Sequence, residues 1–571
     1  MTSMNITHFH RARTFRTRVA LTLTMLMLLV AAATTMAQAP TYSVLYNLAS
    51  HTGDPWYPQW IGLFAQGRDG NLYSTSQAGD LLNGQRYGTV FQLTPAGSVT
   101  VLHSFTVGGR PNGGLTLGTD GSLYGTSVQD NGLGGLGYGT VFKITTSGQF
   151  TVLHNFNVNT DGLTPLAAPI QGTDGNFYGT TAYGQFAKPG GVYKMTPSGK
   201  LTVLYTFSGS AGGLRGPVAL ILGTDGNFYG TTRGGGQRCN GGCGGIYKIT
   251  PAGKLTVLHT FNGTTEGYYP VGAIIQASDG NFYGTTLVGG PGSFGVIYKM
   301  TPAGKLTVIH DFYENDGLGL SPHAGLVQAT DGKFYGAAGS LSTADGVLFQ
   351  ITSTGTYSIV HGFNRTDGRE PQVSLFQHTN GTLYGDTSTG GGGTLCPNGA
   401  GCGVLYSLSM GLGSFVSFLP PQSSGKVGKT IEFLGQGFNG TTKVSFHGVS
   451  ATFTVVSGTY LTAVVPAGAT TGFVTVATPG RTLTSNKVFR VTPAILSFSP
   501  TSGRVGTAVT ITGSGLTGAT KVTFGGVNAV FTVKSASQIT ATVPTGAKTG
   551  KIAVTTAGGV ATSAATFTVT L

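Results

Sequence analysis

The sequence predicts an all-β chain in three parts: a closed ring of seven four-stranded units, followed by two small β-sandwiches. Three observations predict it. The stretch Gly223-Thr-Asp-Gly-Asn-Phe-Tyr-Gly-Thr-Thr232 recurs seven times, with its turn residue at Asp69, Asp120, Asp174, Asp225, Asp279, Asp331 and Asn380. The spacing of 49 to 54 residues holds four strands and their turns. After about residue 413 the repeat stops, and two stretches begin that match each other instead.

The fourth unit shows why each segment is a strand. Val218–Leu222 is a short apolar run. Asp225-Gly226 is a turn, because Gly supplies the positive φ that a tight hairpin needs. Phe228–Thr232 is aromatic and β-branched, which suits a second strand. Gly245–Thr250 and Leu255–Phe261 alternate around the Pro251-Ala-Gly253 turn and give the third and fourth. Four antiparallel strands at this period are the mark of a β-propeller blade.

Spacing inside the unit separates two kinds of connection. From turn Asp to second-strand Tyr is four residues in all six Asp repeats, and from third-strand aromatic to fourth-strand Phe is fourteen in the first six. The second-to-third connection varies from 14 to 22 residues. One rim of the ring is therefore uniform and the other individual, and function on such scaffolds sits on the individual loops.

Residues 41–48 match the fourth-strand pattern but precede any first strand, whereas the seventh repeat lacks a good fourth strand. The expected propeller is 41–412, a seven-bladed ring closed by this N-terminal strand, which removes an open sheet edge. The sandwiches are expected at 413–492 and 493–571. Ser424-Gly-Lys-Val-Gly matches Ser502-Gly-Arg-Val-Gly, and Val465-Pro-Ala-Gly-Ala-Thr-Thr-Gly472 matches Val543-Pro-Thr-Gly-Ala-Lys-Thr-Gly550.

Residues 1–37 read as a signal peptide: Arg11, Arg13, Arg16 and Arg18, an apolar run from Val19 to Ala33, and small residues before Gln38. Nothing after it approaches membrane length, so a secreted chain with no transmembrane segment after cleavage is expected. The net charge of +13 falls to about +9 without that segment. Many Lys sit at matched positions around the ring, dispersed rather than gathered with aromatics, which argues against nucleic acid as a partner. In an exported protein the close pairs Cys239/Cys243 and Cys396/Cys402 are expected as loop disulfides, since neither loop offers the further ligands zinc needs.

Both C-terminal units resemble the TIG (IPT) family of immunoglobulin-like domains, through P-x-S-G-x-V-G, G-x-G-[LF] and V-P-x-G-A-x-T-G. The resemblance implies Ig-like sandwiches serving as spacers or interaction modules. Residues 41–410 resemble the bacterial GloVer tandem repeat, built on D-G-N-x-Y-G-T-T, G-x-[VI]-[YF]-K-[IM]-T-P-x-G and L-T-V-L-H-x-F. Proteins of that family commonly carry one of several C-terminal anchors, and no such anchor is visible here.

The repeated turn Asp residues lie one per blade, so they read as turn formers rather than metal ligands. The fourth-strand His103, His154, His259, His310 and His361 read as packed blade-edge residues. The loops between blades carry acid-x-x-x-Pro at Asp54, Asp161, Glu266 and Asp367. Trp56, Tyr57, Trp60, Arg110, Tyr268, Tyr269, Arg369 and Glu370 cluster in these loops, and aromatic faces beside hydrogen-bonding groups suit a sugar. They are the expected ligand-binding residues. With no nucleophile motif, phosphate loop or His-rich set visible, no catalytic residue, cofactor or metal is expected. The expected function is a monomeric, non-catalytic binding protein for an extracellular glycan or cell-surface protein. The alternatives are an extracellular carbohydrate-active hydrolase or lyase on the same face, for which Glu266, Asp367 and Glu370 are the candidate carboxylates, and a purely structural surface protein.

Overall fold

Asp-Gly turns, Thr-Pro-x-Gly turns and alternating aromatic strands build the same four-stranded antiparallel sheet seven times. The computed structural model describes residues 39–571, apart from residues 57, 59–63, 80, 83–84, 106–108, 129–137, 158, 183–189, 209–212, 237–241, 315–319, 340–344 and 397–400. The expected signal segment, Tyr57, Trp60 and Cys239 fall outside the described residues. Among the described residues there is no helix, and no helix long and apolar enough to cross a membrane.

The fourth blade runs Leu214–Leu222, Phe228–Gly235, Gly245–Ile249 and Leu255–Thr260, hydrogen-bonded in that order. Its second and third strands are almost wholly buried and its fourth is partly exposed. The seventh sheet is assembled from both ends: Phe376–Gln377, Leu383–Asp386 and Val404–Ser409 are joined by Thr41–Asn47 as the outer strand. Every blade carries one bulge between its third and fourth strands. It leaves out Leu258 in the fourth blade and Leu45 in the seventh, so the N-terminal strand fills the fourth-strand place down to its irregularity.

That bulge explains an obligatory glycine. Gly253 lies at φ 91°, and a Cβ there would stand 2.8 Å from the carbonyl oxygen of bulge residue Leu204 in the preceding blade. Gly97 of the first blade meets Leu45 in the same way. Gln side chains knit the uniform rim: Thr224 N–H donates to Gln276 Oε1 at 2.8 Å, and Thr379 N–H to Gln66 Oε1 at 3.1 Å across the seam between the seventh and first blades. On the inside, a Cβ on Gly272 would lie 2.4 Å from the backbone of Gly325, so the leads into successive first strands touch around the axis.

Both C-terminal units are β-sandwiches in which one four-stranded sheet has the same strand order. Ser417–Phe418, Thr430–Leu434, Tyr460–Val464 and Phe453–Val455 form one sheet of the first. Ala494–Ser499, Ala508–Ser514, Gln538–Thr542 and Phe531–Ser535 form its counterpart in the second. Each has its own apolar core, around Phe433, Phe446 and Phe489 in the first and Ile511, Phe524 and Phe567 in the second.

Candidate functional site

On the uniform rim each turn carboxylate is saturated. Asp225 Oδ1 accepts from Asn227 N–H, while Oδ2 accepts from Asn227 Nδ2 at 2.8 Å, the Tyr229 hydroxyl at 2.8 Å and Lys248 Nζ at 2.7 Å. The Lys248 ammonium also lies 5.6 Å from the Tyr229 ring centre. Burial pushes the Asp225 carboxyl upward, but the Lys248 and Asn227 hydrogen bonds outweigh it and hold it down at about 2. Asp120–Lys143, Asp174–Lys194 and Asp279–Lys299 repeat the pair at 2.7–3.0 Å. The matched third-strand lysines are thus tied to turns. The first, sixth and seventh blades substitute Gln92, Gln350 and Ser407.

Those divergent blades flank the place where the first sandwich docks. Arg68 stands where other turns have Thr or Ser. Its guanidinium meets Glu432 at 2.6 Å, donates to Thr119 O at 2.7 Å and lies 4.6 Å from the Tyr460 ring centre. Tyr460 OH also donates to Glu432, and Thr459 Oγ1 donates to Arg68 O at 2.7 Å. Leu419, Leu434 and Tyr460 continue an apolar cluster that contains Tyr73 and Leu117. In the seventh blade His378 replaces the Gly or Ala of other turns. It is wholly buried, its Nε2–H donates to Gly70 O at 2.9 Å, and its Nδ1 accepts from Asn380 N–H. Burial pushes the imidazole pKa down, and the two bonds specify the neutral form. The signal for this junction was in the sequence, as departures from the repeat at Arg68 and His378.

On the variable rim the acids of the acid-x-x-x-Pro loops turn inward. His154 Nε2 pairs with Asp161 at 2.6 Å, His259 with Glu266 at 3.0 Å and His361 with Asp367 at 3.3 Å. Tyr46 OH donates to Asp54 at 2.8 Å in the closing strand. Asp161, Glu266 and Asp367 also accept backbone N–H groups within their own loops. These carboxylates brace loops. Of the three candidate catalytic acids, Glu266 and Asp367 are committed in this way.

The residues ahead of the loop prolines behave differently. Thr164, Tyr269, Ser321 and Glu370 all take φ of 56–59°, a left-handed backbone that side chains disfavour. Each is clamped through its carbonyl; Leu287 N–H, for example, donates to Tyr269 O at 3.0 Å. The same disfavoured backbone is thus held at four equivalent positions around this rim. Tyr269 is 43% exposed there and packs edge-on against Tyr268, ring centres 5.0 Å apart. Arg369 Nε lies 3.3 Å from Asp345 and 3.7 Å from its neighbour Glu370. Glu370 also meets Ser388 Oγ at 3.3 Å, and burial lowers the pKa of half-buried His323, with the Glu370 charge opposing the shift. Arg110 is exposed on the second blade. The expected residues therefore separate into an aromatic pair on the fifth blade and a charged cluster on the sixth and seventh.

Trp56 is a correction. Expected as a stacking face, it is 2% exposed and packs with Leu48, Phe64, Leu72 and Phe91, because its backbone pairs with Ala78 and turns the ring into the interblade core. Sequence reasoning missed two residues. His323 follows the mouth proline of the sixth blade. Asp386 takes the second-strand place of Thr126, Thr180, Thr231 and Thr285; it is 1% exposed, with no hydrogen-bond partner for either oxygen among the described residues, and burial pushes its pKa well up. Cys396 and Cys402 form a disulfide, and Cys243 is also disulfide-bonded.

A family model described as the Gloeobacter/Verrucomicrobia repeat matches residues 32–243, 168–399 and 216–455, and one described as the IPT/TIG domain matches 493–569. The second match covers the second sandwich; the first sandwich shares the strand order of one sheet. No curated protein matches the chain. Similar solved structures include an oligogalacturonate lyase in complex with manganese (12% identity, 65% of this chain and 96% of that chain, TM-score 0.41). Others are a fungal alcohol oxidase of the AA5 family in complex with copper (14%, 90% and 98%, 0.37) and a surface glycan-binding protein from Prevotella bryantii (20%, 25% and 38%, 0.20). Scores this low say nothing about function.

Proposed function

The chain belongs to the Gloeobacter/Verrucomicrobia repeat family, and we propose that it is an exported, non-catalytic protein that binds an extracellular glycan or cell-surface protein at the variable rim of its propeller. One contrast carries the reading. The uniform rim has its carboxylates saturated and the first sandwich docked on it. The variable rim keeps the Tyr268–Tyr269 pair and the Arg369–Glu370–Asp345 cluster on a strained, clamped backbone. The aromatic pair offers a sugar ring apolar contact, and the charged cluster two blades on offers directed hydrogen bonds to a further part of an extended ligand.

The test is binding of the chain from residue 38 onward to a panel of neutral and acidic polysaccharides, with reducing-end release followed in parallel. Saturable binding that falls about tenfold in Tyr269→Ala or Arg369→Ala, with unchanged thermal unfolding, supports the reading. Release of new ends that disappears in Glu370→Gln would replace it with a carbohydrate-active enzyme. Binding to nothing on the panel, and to no cell surface, would leave a structural role.

A further inference from the structure

The two sandwiches differ from the propeller in charge far more than the whole-chain total suggests. Residues 41–412 contain 17 Lys or Arg against 18 Asp or Glu, whereas residues 413–571 contain 11 against one. That one, Glu432, is turned into the propeller junction, 2.6 Å from Arg68. The propeller neutralises its own lysines, as at Asp225–Lys248. The sandwiches hold no carboxylate side chain that could do the same for theirs.

The positions are ordered as well. Lys426 of the first sandwich corresponds to Arg504 of the second, and Lys443 to Lys521, all four exposed. At the end of the second sandwich away from the first, the Arg504 turn is bonded to the following loop through Gly506 N–H to Val543 O at 2.9 Å. That loop brings in Lys548 and leads to Lys551, both exposed. A positive potential concentrated on one arm of an otherwise neutral molecule attracts and holds anions.

We propose that the two-sandwich arm is a docking site for an anionic polysaccharide, one bearing carboxylate or sulfate along its length. Domain-spaced repetition of the same basic positions suits an extended polymer that crosses both sandwiches. Nucleic acid is less well matched, because the one strongly exposed aromatic of the arm is Phe473 and bases need stacking faces. A lipid surface is less well matched, because the exposed Leu496, Val530 and Val560 are scattered on strands and loops rather than aligned on one amphipathic face. This surface is separate from the propeller mouth, so either can fail without the other.

The experiment measures binding of the full chain to alginate, a polyuronate, at increasing salt, beside neutral dextran, duplex DNA and anionic vesicles. The expected result is alginate binding that weakens about tenfold or more between 50 and 200 mM salt, the mark of released counterions. It should also weaken about tenfold in the triple variant Arg504→Glu, Lys548→Glu, Lys551→Glu, and stay unchanged in Lys248→Gln on the uniform rim of the propeller. Lys443→Gln with Lys521→Gln serves as a second, milder variant should the first not fold. Alginate binding that ignores both basic-residue variants would overturn the proposal, as would no binding at low salt. Tighter binding to DNA or to vesicles would assign the arm to that partner and overturn the polysaccharide.

Discussion

The two rims of the propeller are built from the same seven blades, yet they solve opposite problems. On the uniform rim every short turn finds its partners within its own blade or the next, as Asp225 does with Asn227, Tyr229 and Lys248. The polar groups there are consumed by the fold, and the one arc that departs from the repeat is consumed by the sandwich. On the variable rim the loops brace themselves with His–acid pairs and still leave Tyr269, Arg369 and Glu370 beside the mouth. Saturation on one side and residual polarity on the other is what turns a symmetric scaffold into a directional one.

The largest expected effect tests whether Trp56 belongs to the variable rim's surface or to the core beneath it. Trp56→Ala should cost about 3–5 kcal/mol by leaving a cavity among Leu48, Phe64 and Phe91. Trp56→Phe should restore most of this with ligand binding intact. Chemical unfolding followed from the propeller's signal checks the first, and the polysaccharide panel checks the second.

Next comes the junction on the uniform rim. Arg68→Ala removes the cation beside Glu432, which keeps its bonds from Tyr460 and Gln422, and should cost about 2 kcal/mol, seen as earlier release of the first sandwich in limited proteolysis. The same junction should respond to acid through His378. Its pKa is lowered on folding from 6.5, so the stability it contributes is fully present above that value and is lost as pH falls below it. His378→Ala, the residue of the fifth and sixth turns, should flatten that part of the pH profile.

Asp386 breaks the comparison within a single ring of equivalent positions. In the third blade the Thr180 hydroxyl donates to Val218 O at 2.9 Å, stitching one blade to the next. Asp386 occupies the same place with no hydrogen-bond partner among the described residues, so Asp386→Thr should raise stability by about 1–3 kcal/mol at neutral pH. Its pKa is raised on folding, so the wild-type protein loses stability as pH rises past the unfolded value of 3.8, and the gain from the variant should shrink in acid. Thermal unfolding at two pH values is sufficient to see it.

Periodicity made most of this legible before any coordinate. The Asp-Gly turns, the fourteen-residue step of the first six repeats and the stray strand at 41–48 point to the blades and their variable rim, because local turn chemistry and strand alternation recur from unit to unit. What periodicity could not show is where a side chain goes when two blades compete for it. Trp56 reads as a loop aromatic until its backbone pairs with Ala78 and drives the ring into the core. Asp54, Asp161, Glu266 and Asp367 read as mouth acids until His or Tyr from the preceding strand claims them. Departures from the consensus were the better guide: Arg68 and His378 mark the docked sandwich, and Asp386 marks a buried carboxyl where other blades carry a hydroxyl.

The smallest effect concerns the rim that already looks complete. Lys248 is 32% exposed in its side chain and its partner Asp225 39%, so water screens the pair, and Lys248→Gln should cost no more than about 0.5 kcal/mol. The first and sixth blades already carry Gln at this place. In Asp225 the folded carboxyl sits at about 2, so its contribution is present above 3.8 and is lost as pH falls towards 2; Lys248→Gln should narrow that window from below, with the same small cost at pH 7. A cost well above 1 kcal/mol at neutral pH would mean that the lysine, rather than the Asp-Gly turn and Tyr229, holds the blade, and that the uniform rim depends on its charges as the variable rim does.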